Sequence, residues 1–381
     1  MKRIIFILIV VISFACKREK TKPKELTFEI ISSDSVSLGY NHHIRLFKSE
    51  NDNNKFLLNY STNNTLETTE SIIDLTNDGE IINNSKVNFN NSLTDYVKSI
   101  DGFYTIETLR VTMGKSYTHN YLCKYDNKWN KIWEKELKTT KFPAGNSFIY
   151  NIEDKKIILI SDAYNGNQYG LIFEQFDFNG NLISSIFYKE LGNPYSVTKT
   201  SENNILISSL DEKSDYLTLF LSKINGEILW KSTLNESIVP KQIKQLRDNS
   251  FILIGTKYVK NSRKIIVVAK LNSDGKILWK KELSKHYYEE AGNFVILDNN
   301  YLFSACVSLY KDGESFPYIF EINKDGKLIS EKRFDFELSN SSTPLIIKNN
   351  KYLTMVSLYR VVDSNDPSDN YISINRISKT N

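Results

Sequence analysis

The sequence predicts an all-β fold, a single β-propeller of four-stranded antiparallel blades, on three observations. The chain of 381 residues is rich in Ile, Tyr, Asn, Lys and Ser and holds only 7 prolines, and β-branched and aromatic residues favour strands. A strand–turn–strand unit recurs at a nearly constant step. The stretch between successive copies has room for two more strands with their own turn, so that each repeat is a four-stranded unit.

The turns come first. "LTNDGEIIN" carries Gly79, "YDNKWNKIW" puts Trp129 in the corresponding place, and "FDFNGNLIS", "SKINGEILW", "LNSDGKILW" and "INKDGKLIS" carry Gly180, Gly226, Gly275 and Gly326. The steps between these anchors are 50, 51, 46, 49 and 51 residues, a period that signals a β-type repeat architecture. Asn-Gly or Asp-Gly at most of them supplies the positive φ that a tight hairpin requires. The intervening strands recur as "IEDKKIILIS", "TSENNILISS", "LRDNSFILIG", "ILDNNYLFSA" and "IKNNKYLTMV". One unit therefore reads as strands at 291–297, 301–309, 317–323 and 327–335. Repeated radially, such units leave only short, protected sheet edges.

The two ends complete each other. The last unit runs from "TPLIIKNN" through "KYLTMVSLY" to "YISINRISKTN" and lacks an outer strand, whereas "ELTFEII" (25–31) is a strand with no unit of its own. An N-terminal strand that completes the last blade pairs both. A solenoid, the other repeat architecture, would instead need capping units. Units counted from "IRLFKS" onward number seven; the first two are weakly marked, which leaves six or eight open.

The first residues are an address. Lys2 and Arg3 precede the apolar run "IIFILIVVISFA" (4–15), which is shorter than the roughly 20 residues of a membrane-spanning helix and has the anatomy of a secretory signal. With Ala15 directly before Cys16, this start resembles a bacterial lipoprotein signal peptide, in the looser form familiar from Bacteroidota, although Ser13 and Phe14 depart from the strict motif. That resemblance implies cleavage before Cys16 and lipid attachment through it. The domain plan is then a signal peptide at 1–15, the lipidated Cys16 with a tether at 16–24, and the propeller at 25–381. The tether "KREKTKPK" carries five basic residues against Glu19 and suits anionic lipid headgroups. In Bacteroidota lipoproteins an acidic stretch after the cysteine accompanies surface export; by that resemblance this basic one implies the periplasmic side of the outer membrane.

Net charge is +4, but the excess lies in the signal and tether. The remaining domain is slightly acidic by count, which gives no electrostatic footprint for nucleic acid. A monomeric propeller is expected. Only Cys123 and Cys306 remain after Cys16, both inside strand-like segments, and they read as buried free thiols.

The tryptophans carry a second resemblance. All four sit at the recurring hairpin, Trp129 in the turn and Trp133, Trp230 and Trp279 on the strand after it. This resembles the pyrroloquinoline-quinone-type propeller repeat, in which a Gly turn is followed by Trp on the outer strand. Packing explains it, because an indole can cover the junction between blades and donate its N–H. The quinone enzymes of that fold share an adjacent Cys-Cys pair, which is missing here, so no cofactor is expected. "SDGKILW" matches a sialidase Asp-box only in part, since Asp274 adjoins Gly275. His42 and His43 are adjacent while His119 and His286 are isolated, none with helical zinc-site spacing; no metal site and no catalytic constellation are expected. "DSNDPSDN" (363–370) alternates oxygen donors but lacks the Gly and Glu of a calcium loop.

Propeller topology says where a ligand would meet the chain. Loops joining one blade to the next share a face with the loops joining the two middle strands of each blade, and connecting loops on a rigid scaffold are where binding residues gather. The richest is "KHYYEE", with His286, Tyr287, Tyr288, Glu289 and Glu290. The same face is expected to hold Tyr195 in "GNPYS", Tyr164 in "AYNGNQY", His119 in "KSYTH", and Tyr310, Asp312 and Glu314 in "YKDGESF". Aromatic platforms beside carboxylates suit a sugar or peptide. Two functions remain open: a non-enzymatic envelope scaffold for a protein or glycan partner, or an envelope glycan hydrolase or lyase with carboxylates as acid and base.

Overall fold

The computed structural model describes residues 24–25, 28–40, 43–48, 55–61, 68–75, 81–89, 91–113, 115–137, 147–152, 155–164, 168–211, 215–260, 263–298, 300–310, 313–336, 338, 343–348, 353–360 and 369–379. Residues 1–23, which hold the expected signal, Cys16 and all of the expected tether but Lys24, together with the turn at Gly79, Asp312 and residues 361–368 of the oxygen-rich loop, lie outside the described residues.

Two strands, β1 (Lys24–Glu25) and β2 (Phe28–Tyr40), come before the repeats. Sheet 1 holds β3 (His43–Lys48), β4 (Lys55–Ser61), β5 (Thr68–Leu75) and β6 (Ile81–Phe89). Sheet 2 holds β7 (Ser92–Ser99), β8 (Gly102–Met113), β9 (Lys115–Tyr125) and β10 (Lys131–Glu136). Sheet 3 holds β11 (Ser147–Ile152), β12 (Lys156–Tyr164), β13 (Tyr169–Phe176) and β14 (Leu182–Tyr188). Sheet 4 holds β15 (Pro194–Lys199), β16 (Ile205–Leu210), β17 (Leu217–Ser222) and β18 (Ile228–Leu234). Sheet 5 holds β19 (Ile238–Gln245), β20 (Phe251–Tyr258), β21 (Lys264–Leu271) and β22 (Ile277–Leu283). Sheet 6 holds β23 (Tyr288–Ile296), β24 (Asn300–Ser308), β25 (Ser315–Asn323) and β26 (Leu328–Arg333), with β1 added parallel at its outer edge. Sheet 7 joins β27 (Leu345–Lys348), β28 (Leu353–Arg360) and β29 (Asp369–Lys379) to the N-terminal β2.

The unit predicted at 291–335 is sheet 6, with every strand end within three residues of its predicted bound. The predicted N-terminal strand starts three residues late and runs on to Tyr40. The added β1 edge has no counterpart in the sequence reading, because two residues carry no periodicity.

Burial explains the strand patterns. Middle strands such as "FILIGTKY" are buried on both faces because each sheet is covered by its neighbours, so they read as continuous apolar runs. Outer strands such as "KIWEKE" alternate half-buried and exposed. The core accordingly lies between sheets: Ile252, Ile254 and Val268 of sheet 5 pack with Phe294, Phe303 and Phe320 of sheet 6.

Five of the recurring turns share one geometry. Trp129, Gly180, Gly226, Gly275 and Gly326 all have positive φ, from 64° to 89°. In each, the N–H of that residue bonds to the carbonyl three positions earlier, and that earlier N–H bonds to the carbonyl just past it, as in Gly275 N to Asn272 O at 3.0 Å and Asn272 N to Lys276 O at 2.9 Å. The Asn or Asp before the glycine is therefore a middle turn residue; the capping side chain sits three positions ahead, where Asn272 Oδ1 accepts from Asp274 N and Lys276 N and Asp177 Oδ1 accepts from Asn179 N and Asn181 N. This is a three-residue hairpin loop whose left-handed bulge residue is the one expected to carry positive φ.

The turns also position the sheets. A Cβ at Gly275 would lie 2.9 Å from Trp230, one at Gly326 2.8 Å from Trp279, and one at Gly180 2.6 Å from Trp133. Each tryptophan thus lies over the turn of the following sheet, and Trp279 Nε1 donates to Lys324 O at 2.9 Å. Trp129 is stacked on Phe103 at 4.0 Å within its own sheet.

On the opposite side of each sheet, first strand β7 packs on β11, and β15, β19, β23 and β27 pack on one another in turn. Side chains pin them together. Asp95 accepts from Ile149 N at 2.9 Å, Ser196 from Ile243 N at 3.1 Å, Gln242 from Phe294 N at 2.9 Å and Asn293 from Ile346 N at 2.7 Å. Tyr150 OH donates to Val197 O at 2.7 Å between sheets 3 and 4. Each bond satisfies a backbone group that the strand ladder leaves over. Cys123 and Cys306 are free and buried.

Candidate functional site

The strand order puts the sheet-to-sheet loops and the middle-strand loops at one end of the sheets and the glycine turns at the other. A cleft of about 270 Å³ opens on the loop end among sheets 4, 5 and 6. Tyr195 and Lys241 enter it from bulges: the ladder skips Tyr195 between Pro194 and Ser196, and Lys241 between Pro240 and Gln242. A bulge turns a side chain away from the regular alternation, and here both line the cleft. Thr256 and Tyr258 from the end of β20, Lys264 from the start of β21 and Glu290 from β23 complete it.

Three side chains form its charged wall. Lys264 Nζ lies 2.9 Å from Glu290 Oε2, Tyr288 OH donates to the same oxygen at 2.7 Å, and Lys264 Nζ donates to Tyr288 OH at 2.5 Å. The ammonium also sits over the ring of Tyr258, at 5.3 Å, a cation–π contact that favours the charged form. Burial works against ionisation of Glu290, but the hydrogen bonds from Tyr288 and Lys264 outweigh it and hold the carboxyl below its usual value. Burial likewise opposes charge on Lys264, and Tyr288 with Glu290 holds it above the ordinary lysine range. Burial pushes the Tyr288 phenol up to about 12. Tyr195 is raised by burial and then by Asp215, Tyr258 and Asp162 nearby.

The predicted loop residues divide into two groups. Glu290 and Tyr195 line the cleft, and Tyr288 supports it from behind through its bonds to Glu290 and Lys264. Glu289 is buried and spends its carboxylate on the backbone, accepting from Lys285 N at 2.8 Å and His286 N at 2.9 Å. His286 Nδ1 contacts the same carboxylate at 3.0 Å, and its ring meets Tyr318 edge-on at 5.1 Å. Arg263 donates to the carbonyls of His286 and Tyr287 and lies over the Tyr287 ring. This half of the loop holds itself in place.

The others lie apart. "KSYTH" belongs to strand β9 rather than to a loop, and His119 Nδ1 contacts Glu136 Oε1 on the outer strand of sheet 2 at 2.6 Å. Tyr164 packs against Tyr169 across a sheet 3 hairpin at 4.8 Å. Tyr310 and Glu314 are exposed beside the sheet 6 middle loop. Lys241, Tyr258 and Lys264 were missed by sequence reasoning. Lys264 had a usable signal, as a charge directly before the apolar run "IIVVA"; Lys241 had none, since a bulge leaves no mark in the pattern. Among the described residues, no group of three or more His, Cys, Asp or Glu side chains could hold a metal ion, and no helix is long and apolar enough to cross a membrane.

Sheets of four antiparallel strands, packed in sequence order by their first strands, define a β-propeller-like protein. Solved structures agree. The BBS1N chain of a complex with ARL6DN superposes with a TM-score of 0.54 at 11% identity, covering 94% of this chain and 99% of that one. A polysaccharide lyase, the PL25 ulvan lyase bound to -[GlcA(1-4)Rha3S]-, gives 0.54 at 9% identity over 90% and 96%, and the AfRom2 CNH domain gives 0.52 at 8% over 93% and 100%. At such identities the likeness shows the fold alone. No protein-family model matches the sequence, and no curated protein matches it.

Proposed function

We propose that this chain is a lipid-anchored envelope binding module, attached through Cys16 on the periplasmic side of the outer membrane, whose cleft between sheets 4, 5 and 6 takes a glycan or protein partner. The seven sheets are the blades of a monomeric ring, with β2 as the outer strand that ties the first residues of the domain to the last blade.

One observation carries the choice of binding over chemistry. The cleft's carboxylate, ammonium and phenol satisfy one another, and each is displaced away from neutrality: Glu290 downward, Lys264 and Tyr288 upward. A general acid or base works best with a pKa near the operating pH, and this trio is held in fixed protonation states there. The rings of Tyr195 and Tyr258 beside a paired charge instead offer stacking surfaces and oriented hydrogen bonds, which suit the polar and apolar faces of a sugar or peptide.

The second reading is a glycan hydrolase or lyase. It is favoured by the phenol of Tyr288 standing 2.7 Å from a carboxylate in an open cleft, and propellers host both binding and catalysis. Reversible crosslinking in intact envelopes tests the two together. Capture of a defined glycan or protein by the native chain, lost in a Tyr195→Ala/Tyr258→Ala variant of unchanged circular dichroism and melting temperature, supports the binding module. Equal capture by both proteins sinks the cleft. New reducing ends or unsaturated products from envelope glycans would move the assignment to the enzyme.

A further inference from the structure

We infer that the glycine-turn face of the propeller lies against the lipid bilayer, with a band of aliphatic side chains at the turns immersed in the headgroup region and the cleft facing away. This orientation rests on the lipid-anchor reading of Cys16.

The register of β1 fixes the direction. Lys24 pairs with Ser330 and Glu25 with Glu331, and the two strands are parallel. The chain before Lys24 therefore points back along β26 towards Leu328 and the Gly326 turn. Eight residue steps separate Cys16 from Lys24, and an extended chain spans at most about 3.6 Å per step, so the anchor stays within roughly 29 Å of Lys24, which pairs with Ser330, four residues past the Gly326 turn. The cleft is at the other end of the same sheets, since Glu290 lies near the start of β23, which runs antiparallel to β26.

The turn face is fitted for lipid. The second and third residues after each turn glycine are aliphatic and open to solvent in successive sheets: Leu182 and Ile183 at 51% each, Ile228 and Leu229 at 38% and 42%, Ile277 and Leu278 at 39% and 58%, and Ile132 of sheet 2 at 55%. Scattered exposed aliphatics need no explanation, but these occupy the same register position in four consecutive sheets. In sheet 6, where β1 runs alongside β26, the equivalent Leu328 and Ile329 are half-buried. One of each pair is the bulged residue of its outer strand, as at Ile183, Leu229 and Leu278, so both members can face outward where strict alternation would hide one. The five basic tether residues add attraction to anionic headgroups, and a lipid chain combined with a polybasic or apolar contact is the combination that holds a protein stably on a bilayer.

The molecule carries its own probe, because all four tryptophans lie in or just after these turns. The lipidated full-length protein, reconstituted into phosphatidylcholine–phosphatidylglycerol vesicles with brominated acyl chains, should lose tryptophan emission relative to the same vesicles without bromine. A fluorophore at Glu314→Cys, on the loop face, should keep its emission. A Leu229→Glu/Leu278→Glu variant should recover emission while remaining vesicle-bound. Unquenched tryptophans with a quenched Glu314→Cys label would invert the orientation, and both unquenched on a bound protein would mean that the propeller stands off the bilayer; either result overturns the inference. If instead the wild type and Cys16→Ser fractionate identically from cells, the anchor reading itself has failed.

Discussion

Tyr288→Phe removes the oxygen that bridges Lys264 and Glu290 behind the cleft and should change three measurable properties at once. The phenol donates to Glu290 Oε2 at 2.7 Å and accepts from Lys264 at 2.5 Å, while the Lys264–Glu290 pair at 2.9 Å is left in place. A hydrogen bond to a charged group contributes about 1.5 to 3 kcal/mol. The side chains of Lys264 and Glu290 keep 18% and 30% of their exposure, and water can replace part of the loss, so the expected cost at pH 7 is about 1 to 2 kcal/mol. Urea unfolding followed by circular dichroism reads this directly. The pH dependence has a definite sign. Glu290 is depressed in the fold, so its contribution is present above the ordinary carboxyl range and is lost as pH falls through the folded value. Without the phenol, burial acts on Glu290 with less opposition, its pKa rises, and acid unfolding begins at a higher pH. Carbon-detected NMR titration of the Glu290 carboxyl follows that shift residue by residue. A Tyr288→Phe protein with unchanged stability and an unchanged Glu290 titration would refute the interlocked trio, and with it the main reason for preferring binding to catalysis.

Other regions give sharper structural tests. Asn293→Ala removes both the bond from Ile346 N at 2.7 Å and the bond to Ile346 O at 2.7 Å; leaving two buried backbone groups unpaired should cost about 2 to 4 kcal/mol in urea unfolding, and a cost under about 0.5 kcal/mol would dismiss the inter-sheet pin. Gly275→Ala places a Cβ at φ 74° and 2.9 Å from Trp230, so a loss of about 1 to 3 kcal/mol is expected, measurable as a lowered melting temperature with reduced Trp emission shift. Alkaline titration at 295 nm should show a late wave of tyrosines, because burial pushes Tyr188 and Tyr288 up to about 12 and Tyr318 higher still; raised folded values mean stability is lost as pH climbs past the unfolded value near 10, and a single wave near pH 10 would contradict the burial. Removal of residues 24–40 strips β1 and β2 from sheets 6 and 7 and should abolish cooperative unfolding of the domain, whereas an unchanged transition would leave β2 without a closing role.

Much of the fold was legible because it is written in repeated local chemistry. A glycine that must adopt positive φ, a tryptophan that must cover it from the neighbouring sheet, and a continuous apolar strand buried on both faces each leave a mark in one dimension, and they leave it at a constant step. The glycine positions were legible, but the capping Asn272 and Asp177 three residues ahead of each glycine were not, because a single polar residue ending a strand carries no period of its own. The cleft was legible in part for the opposite reason. "KHYYEE" stood out by composition, but composition could not say that Glu289 would turn inward to the Lys285 and His286 amides while Glu290 turned to the cleft. That difference follows from the alternation of a strand beginning at Tyr288, three residues earlier than a loop reading allows.

Lys241 and Tyr195 show why a site on repeated sheets resists sequence reasoning. The inner strands of sheets 4 and 5 keep the same backbone bulge, and the residue after it keeps the same task, Ser196 and Gln242 each pinning the next sheet. Only the bulged residue itself is released from the repeat, as it neither pairs in the ladder nor enters the inter-sheet core. Selection for packing does not constrain its chemistry, so tyrosine can stand in one sheet and lysine in the next. A repeat protein can therefore hold its fold by what recurs and acquire a ligand by what differs at these released positions. In this chain the released positions of sheets 4 and 5 open into the same 270 Å³ cleft as Lys264 and Glu290, which is the physical ground for placing function there rather than at the recurring tryptophans.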